Sequence, residues 1–240
     1  MIKITKSSEH YRNRTDWLDT THHFSFGDYF DPNNMNFGPL RVFNDDVIEP
    51  GTGFGFHPHR DMEIVTYVIE GELEHQDSEG NRGVIYPREV QRMTAGSGIT
   101  HSEYNHSDEK QLRLLQMWIF ANKKNLEPSW EQRKYTKEEQ LNKLLPIISS
   151  QNSKLDTIHI HQDANFYIST LTPKATINHK LQAGRKSFLF VIDGEIVLNN
   201  NQMKTRDSAR IENESNISIK AEEQTQLVII DIPEKFVMNQ

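Results

Sequence analysis

The stretch that decides the fold is GTGFGFHPHRDMEIVTYVIEG, residues 51–71. Its middle holds a His-x-His pair, His57 and His59, and a strongly apolar run follows. Because alternate side chains of a strand point to one face, an unbroken strand would also place Asp61 and Glu63 beside the pair. Two imidazoles on one face begin a site for Zn, Fe, Cu, Ni or Mn. A single His-x-His pair is also common on surfaces near turns, so a second observation is needed.

A second short motif supplies that observation. His101-Ser102-Glu103 again places two metal-binding side chains at alternate positions. The chain has no cysteine, which excludes a disulfide scaffold, a thiolate metal site and a cysteine nucleophile together. Any metal must therefore be held by histidine, aspartate or glutamate side chains.

Composition and charge limit the classes of partner. The 240 residues are 35% hydrophobic and 25% charged, which is ordinary for a soluble protein with a large core. No apolar run approaches the roughly 20 residues that span a bilayer, and the first residues lack the apolar core of a secretory signal. The net charge of −7 gives no overall attraction to nucleic acid. We therefore expect a cytoplasmic protein that binds a small molecule or a protein, without membrane or direct nucleic-acid contact.

The spacing of turn residues predicts an all-β fold. Across residues 54–120, short apolar strands alternate with glycine-containing turns, as in antiparallel sandwiches and barrels. Residues 121–146 break this rhythm, because residues 130–135 and 138–141 favour helix and Pro146 ends it. Short strands then return, so this stretch is predicted to connect two β domains.

An internal echo indicates that the second domain duplicates the first. FVIDGEI at residues 190–196 closely repeats YVIEGEL at residues 67–73. With the same offset, Lys180 and Gln182 stand where the first motif has His57 and His59, and Lys186 stands where it has Glu63. The second half is therefore predicted to keep the scaffold without the ligands.

The motifs resemble the two signature motifs of the cupin superfamily, small β-barrels that hold one divalent metal. Several blocks narrow the resemblance to the pirin family, the branch of two-domain cupins that includes bacterial quercetin 2,3-dioxygenase-like proteins. The blocks cover about residues 21–120 and, taken together, are highly specific: HHFSFGDYFDP, FGPLRVFNDD, FHPHRDMEIVTYVIEGELEH, GNRGVIYP, QRMTAGSGITHSE and LQMWIF.

The resemblance implies a fold and its boundaries. We expect two tandem antiparallel β-barrels of the jelly-roll type, joined by a short helical connector. The expected parts are an N-terminal barrel with the metal site at residues 1–125, a partly helical connector at 126–146, and a degenerate C-terminal barrel at 147–240. Family members are often monomers, and we expect a monomer here.

The resemblance also implies a ligand set. Pirins bind a metal, usually iron, through the residues that match His57, His59, His101 and Glu103. Many other cupins use a carboxylate ligand at the position of Glu63, whereas pirins use the one at the position of Glu103. The side chain of Glu63 is therefore expected behind the ligands. Gln116, in the middle of an apolar strand, is expected either to reach the pocket or to be a satisfied buried amide. Fe(II) is the expected metal, with Ni, Cu, Mn, Co and Zn as alternatives because the same donors suit all of them.

Three functions are compatible with this resemblance. The first is a metal-dependent dioxygenase that cleaves the heterocyclic ring of flavonols such as quercetin and releases carbon monoxide. Its substrates would be a small planar phenol and dioxygen, with Glu103 as the group that accepts the hydroxyl proton. The alternative is a metal-binding regulatory protein of the pirin type that acts through a protein partner without flavonol turnover. A different cupin reaction, such as isomerisation of a small metabolite, is the third.

Overall fold

The computed structural model describes residues 1–236, which form short antiparallel strands, a 3-10 turn at Ser7–Glu9 and a single-turn helix. The strands up to residue 134 are β1 (Ile2–Thr5), β2 (Tyr11–Arg14), β3 (Leu18–His22), β4 (Leu40–Ile48), β5 (Gly53–His59), β6 (Met62–Glu70), β7 (Leu73–Asp77), β8 (Arg82–Ile85), β9 (Glu89–Thr94), β10 (Ile99–Asn105), β11 (Leu112–Phe120) and β12 (Ser129–Lys134). The later elements are α1 (Lys137–Gln140), β13 (Leu145–Ser150), β14 (Ile158–Ile160), β15 (Asn165–Leu171), β16 (Thr176–Lys180), β17 (Arg185–Asp193), β18 (Glu195–Leu198), β19 (Asn201–Lys204), β20 (Ser208–Ile211), β21 (Asn216–Ala221) and β22 (Thr225–Pro233). Within residues 1–236, no helix has the length and apolarity to cross a bilayer.

The N-terminal unit comprises residues 11–134 together with residues 160–162. It consists of a seven-stranded sheet in the order β12-β9-β6-β11-β4-β3-β2 and a four-stranded sheet in the order β5-β10-β7-β8. Strand β11 lies between β6 and β4, and seven of its nine residues are buried, because a central strand is covered on both faces. The expected barrel is therefore a sandwich of two separate sheets.

The C-terminal unit comprises residues 1–10, 135–159 and 163–236. Its sheets run β1-β20-β17-β22-β15-β13-β14 and β16-β21-β18-β19. The four-stranded sheet and the central strands β20-β17-β22-β15 repeat the order of the N-terminal unit, whereas the flanking strands β1, β13 and β14 come from other points of the chain. The predicted duplication is thus present in the topology. The interior of this unit is filled by aliphatic side chains, among them Leu189, Ile196 and Ile229, all fully buried.

The structure places two segments differently from the sequence prediction. Residues 1–10 group with the C-terminal unit, because β1 pairs with β20 in the register Ile2↔Ile211. The helix predicted for residues 130–135 is wrong: Ser129–Lys134 is the edge strand β12, paired with β9. Ladder hydrogen bonds and the packing of Trp130 on buried Met93 and Ile64 outweigh a weak helix propensity. The helix is confined to Lys137–Gln140.

The sequence repeat at residues 67–73 and 190–196 has a steric cause, because each copy contains a turn that requires glycine. Gly71 has a φ of 80°, and a Cβ there would lie 2.5 Å from the carbonyl oxygen of Gln111. Gly194, its counterpart, has a φ of 101°, and a Cβ there would lie 2.5 Å from the carbonyl oxygen of Gln224. Both positions combine left-handed backbone with close approach to the next strand, so each requires glycine.

Gly71→Ala is expected to lower the free energy of unfolding by more than about 2 kcal/mol, because left-handed strain of about 1–2 kcal/mol adds to a backbone clash. Gly80→Ala is the matched control, since Gly80 has a φ of 88° but no described atom within 4 Å of the added Cβ. Urea unfolding of both variants measures the difference. Equal losses in the two variants would show that the close approach to Gln111 costs nothing.

Candidate metal centre

Adjacent strands bring the histidines of the two motifs together. Strands β5 and β10 are antiparallel neighbours in which His101 lies opposite His57, and Ile99 lies opposite His59. The ring centroids are 4.8 Å apart for His57 and His59, 4.5 Å for His57 and His101, and 4.8 Å for His59 and His101. One nitrogen of each ring lies within 4.8 Å of the others. The three imidazoles therefore form a compact triangle.

The protonation of these rings leaves nitrogen lone pairs for a cation. His57 Nδ1 lies 2.7 Å from the Gly55 carbonyl oxygen, so Nδ1 carries the proton and Nε2 does not. The Nε2 atoms of His59 and His101 are buried and have no hydrogen-bond partner among residues 1–236. Burial, with the neighbouring His57, lowers the pKa of His59 to about 4. Burial and the neighbouring histidines lower the pKa of His101 to about 2. Three converging imidazoles, two of which have a buried nitrogen without a hydrogen-bond partner among residues 1–236, fit a transition-metal site.

Glu103 adds a buried carboxylate beside this triangle. Between His101 and Glu103 the register with β5 shifts by one residue, because β5 carries an extra residue between His57 and Phe54. Gln91 Nε2 donates to Glu103 Oε1 at 2.8 Å, and Gln116 Nε2 donates to Oε2 at 2.7 Å. Burial raises the pKa of Glu103 to about 7, and its hydrogen bonds oppose the shift. A carboxylate has about four lone-pair sites, so these amide bonds still leave oxygen lone pairs for a cation.

The predicted four-residue set is thus brought together in two overlapping groups. His101 belongs both to the triangle with His57 and His59 and to a second group with His75 and Glu103. The ligand atoms of Glu103 and of all three predicted histidines do not all lie within 4.8 Å of one another. The structure therefore places the predicted carboxylate next to His101, at one side of the triangle.

Glu63 lies in neither group, because the chain turns before it. Asp61 has a φ of 52° and separates β5 from β6, so residues 57–63 do not form one unbroken strand. Glu63 belongs to the seven-stranded sheet and is fully buried. It accepts hydrogen bonds from the backbone N–H of His161 at 2.9 Å and of Gln162 at 3.0 Å, and from the Thr94 hydroxyl at 3.3 Å. Its carboxylate anchors residues 160–162.

Gln116 reaches the site through Glu103. It lies on β11 opposite Asn44 of β4, and its side chain is on the wall of a cavity that also contains His57 and Glu103. Gln116 therefore lines the cavity and is at the same time a buried amide with hydrogen-bond partners.

The cavity has a volume of about 140 Å³, which is smaller than the roughly 300–1,000 Å³ typical of small-molecule sites. Aromatic rings form one part of its lining and polar side chains the other. The residues are Phe26, Phe54 and Trp118, with His57, Glu103, Gln116, Asn44 and Asp46. Burial raises the pKa of Asp46 to about 7, and the Thr20 hydroxyl donates to its carboxylate. The lining therefore offers apolar ring faces together with polar groups that pair with hydroxyl groups.

Sequence reasoning missed two residues of this region. His75 and His161 both lie outside the two motifs, so the motifs do not point to them. His75 is fully buried beside His101, and His161 donates its backbone N–H to Glu63. For His75 a signal was present: His75-Gln76-Asp77 is a further pair at alternate positions, on the strand next to β10.

Two tandem sandwiches that share their central strand order, one with a histidine triangle beside a cavity, define a two-domain cupin. Residues 5–119 match the Pirin family model, and residues 147–232 match the model described as quercetinase C-terminal cupin domain. The chain belongs to the pirin family.

The chain is similar over nearly its full length to named relatives. It is 40% identical to quercetin 2,3-dioxygenase of Escherichia coli K12, over 97% of this chain and 99% of that protein. It is 42% identical to a pirin-like protein of Caulobacter vibrioides, over 90% of this chain and 92% of that protein. Among solved structures, the bacterial pirin YhhW of Escherichia coli in complex with nickel(II) has a TM-score of 0.92 at 39% identity, covering 97% of this chain and 99% of that one.

Proposed function

We propose that the chain is a metal-dependent dioxygenase that opens the heterocyclic ring of flavonols such as quercetin and releases carbon monoxide. The observation that carries the proposal is the aromatic-walled cavity, into which His57 and Glu103 both project. Relatives at 40% and 42% identity that are named quercetin 2,3-dioxygenase and putative quercetin 2,3-dioxygenase support it.

The proposed ligands are His57, His59, His101 and Glu103. A bound divalent metal supplies a Lewis acid that lowers the pKa of a flavonol hydroxyl and leaves positions open for dioxygen. We propose Fe(II), with Ni(II) as the first alternative because a 39% identical pirin was solved with nickel(II). The regulatory alternative, the cytoplasmic location and the monomeric state remain predictions from the sequence.

The protein's own groups would orient the flavonol and take its proton. Phe26, Phe54 and Trp118 offer apolar faces to the fused rings and exclude water from the reacting edge. Glu103 lines the same cavity, where it can accept the proton of the hydroxyl group. Its two amide donors, Gln91 and Gln116, hold the carboxylate in place before substrate arrives.

Glu103→Gln tests this role, because glutamine keeps the size of the side chain and removes the proton acceptor. We expect turnover of quercetin to fall by about 10²–10⁴-fold, the usual contribution of a positioned general base. The measurement is the loss of flavonol absorbance under air, with metal content determined on the same samples so that rates refer to loaded protein. The matched control is Glu74→Gln, a carboxylate on neighbouring β7 that binds Arg82 and His106 at the surface.

Full turnover by Glu103→Gln at equal metal content would contradict the assigned role. Loss of turnover in Glu74→Gln as well would show that the effect is not specific to the cavity. If the wild-type protein carries metal and turns over no flavonol, the proposed substrate class is wrong.

A further inference from the structure

Two polar residues of β7 form a chain of hydrogen bonds that ends at His101. His75 and Asp77 lie on β7, which is the neighbour of β10 on the side away from β5. His75 is fully buried, its Nδ1 lies 3.4 Å from His101 Nδ1, and its Nε2 lies 3.3 Å from Asp77 Oδ2. A chain of three polar groups therefore ends at a proposed ligand.

The directions of these hydrogen bonds follow from the donor inventory. Asp77 is held as an acceptor by the turn that follows it: the backbone N–H groups of Glu79 and Asn81 donate to Oδ1, and the Asn81 amide donates to Oδ2. His75 Nε2 facing Oδ2 must then carry the proton, which leaves Nδ1 of the neutral ring as an acceptor. His101 Nδ1, which faces it, must therefore be the donor.

This arrangement fixes the other nitrogen of His101. With its proton on Nδ1, the ring presents an unprotonated Nε2, which is the atom that is buried without a hydrogen-bond partner among residues 1–236. Both nitrogens of His75 are engaged in the chain of hydrogen bonds. His75 is therefore placed to orient a ligand and not to serve as one.

A second contact ties the same ring to Glu103. The His75 ring stacks on Trp130 with a centroid distance of 5.3 Å and an interplanar angle of 9°. Trp130 Nε1–H donates to Gln91 Oε1 at 2.8 Å, and Gln91 Nε2–H donates to Glu103 at 2.8 Å. The stacked pair thus supports His101 directly and Glu103 through Gln91.

We infer that Asp77 and His75 form a positioning relay that sets the tautomer and orientation of His101, so that its Nε2 is offered to the metal. The inference rests on the proposed metal centre but not on the flavonol reaction. Partners of this kind raise ligand basicity, and their removal typically weakens metal binding by about 10–100-fold.

Two substitutions separate hydrogen bonding from packing. His75→Phe keeps a ring that can stack on Trp130 and removes the acceptor, whereas His75→Asn keeps an acceptor near the position of Nδ1 and removes the stack. We expect zinc affinity to fall about 10–100-fold in His75→Phe and by no more than about threefold in His75→Asn. Competition with a chromogenic chelator measures both affinities, and urea unfolding of the metal-free proteins verifies that each variant folds.

The tautomer is read separately from long-range ¹⁵N–¹H correlation spectra of the zinc-loaded wild-type protein. We expect the protons on Nδ1 of His101 and on Nε2 of His75. The relay is refuted by a proton on Nε2 of His101, or by unchanged zinc affinity in a folded His75→Phe variant. A second zinc ion per chain that is lost in His75→Phe would make His75 a ligand and also refutes it. If wild-type protein binds no zinc, the metal centre itself fails, and with it the proposed function.

Discussion

His101→Ala is expected to weaken zinc binding by on the order of 100-fold or more, because about 10–16 kcal/mol of apparent binding free energy shared by four ligands is roughly 3 kcal/mol each. His101 is the residue common to both candidate ligand groups, so its loss dismantles the triangle and isolates Glu103. Chelator competition measures the affinity, and elemental analysis of the purified variant measures the retained metal.

His106→Ala is the control for this prediction. His106 is an exposed histidine of the same unit, hydrogen-bonded to Glu74 at the surface, and lies outside both candidate groups. We expect it to bind zinc as the wild type does. Wild-type affinity in His101→Ala would place the metal elsewhere in the chain and remove the basis of the proposed centre.

Glu63→Ala is expected to lower the free energy of unfolding by about 3–6 kcal/mol, because two backbone N–H groups each lose a bond to a carboxylate worth about 1.5–3 kcal/mol. Those groups belong to His161 and Gln162, and the Thr94 hydroxyl loses an acceptor as well. Urea unfolding of the metal-free protein gives the change. Zinc affinity of the folded variant should change by less than about twofold, since Glu63 belongs to neither ligand group.

Glu63→Gln is the matched comparison, because glutamine keeps one acceptor oxygen and the shape of the side chain. A loss of stability between those of the wild type and the alanine variant is expected. The opposite pattern, weaker zinc binding with unchanged stability, would show that Glu63 is a ligand as in many other cupins. In that case the carboxylate of Glu103 would not be the one that completes the site.

The fold could be predicted because its signals are local and repeated. Short apolar strands between glycine turns indicate antiparallel sheets, and the echo around Gly71 and Gly194 reflects one steric requirement met twice. The edge strand β12 could not be predicted in the same way. Its residues favour helix in isolation, and only the exposed ladder of β9 makes them a strand. Likewise, no local signal assigns residues 1–10 to the C-terminal unit.

The part of the candidate site that could be predicted is the part that depends on alternate side chains of a strand pointing to one face. His57, His59 and His101 converge because the two motifs lie on adjacent strands of one sheet, a pairing that alternation alone does not specify. The position of Glu63 depends on one residue, Asp61, whose left-handed backbone breaks the alternation and sends the next strand into the other sheet. His75 was missed because its role arises from the pairing of β7 with β10, a long-range contact that no motif encodes.

The proposal as a whole depends on flavonol cleavage at this metal centre, and the most direct measurement is the yield of carbon monoxide. Protein purified without oxygen, loaded with Fe(II) or Ni(II) and analysed for metal is mixed with quercetin and air-saturated buffer. We predict one carbon monoxide for each quercetin consumed, and carbon monoxide release slowed by about 10²–10⁴-fold in equally loaded Glu103→Gln protein. Consumption of quercetin without carbon monoxide, or no consumption at full metal occupancy with either metal, would contradict the account.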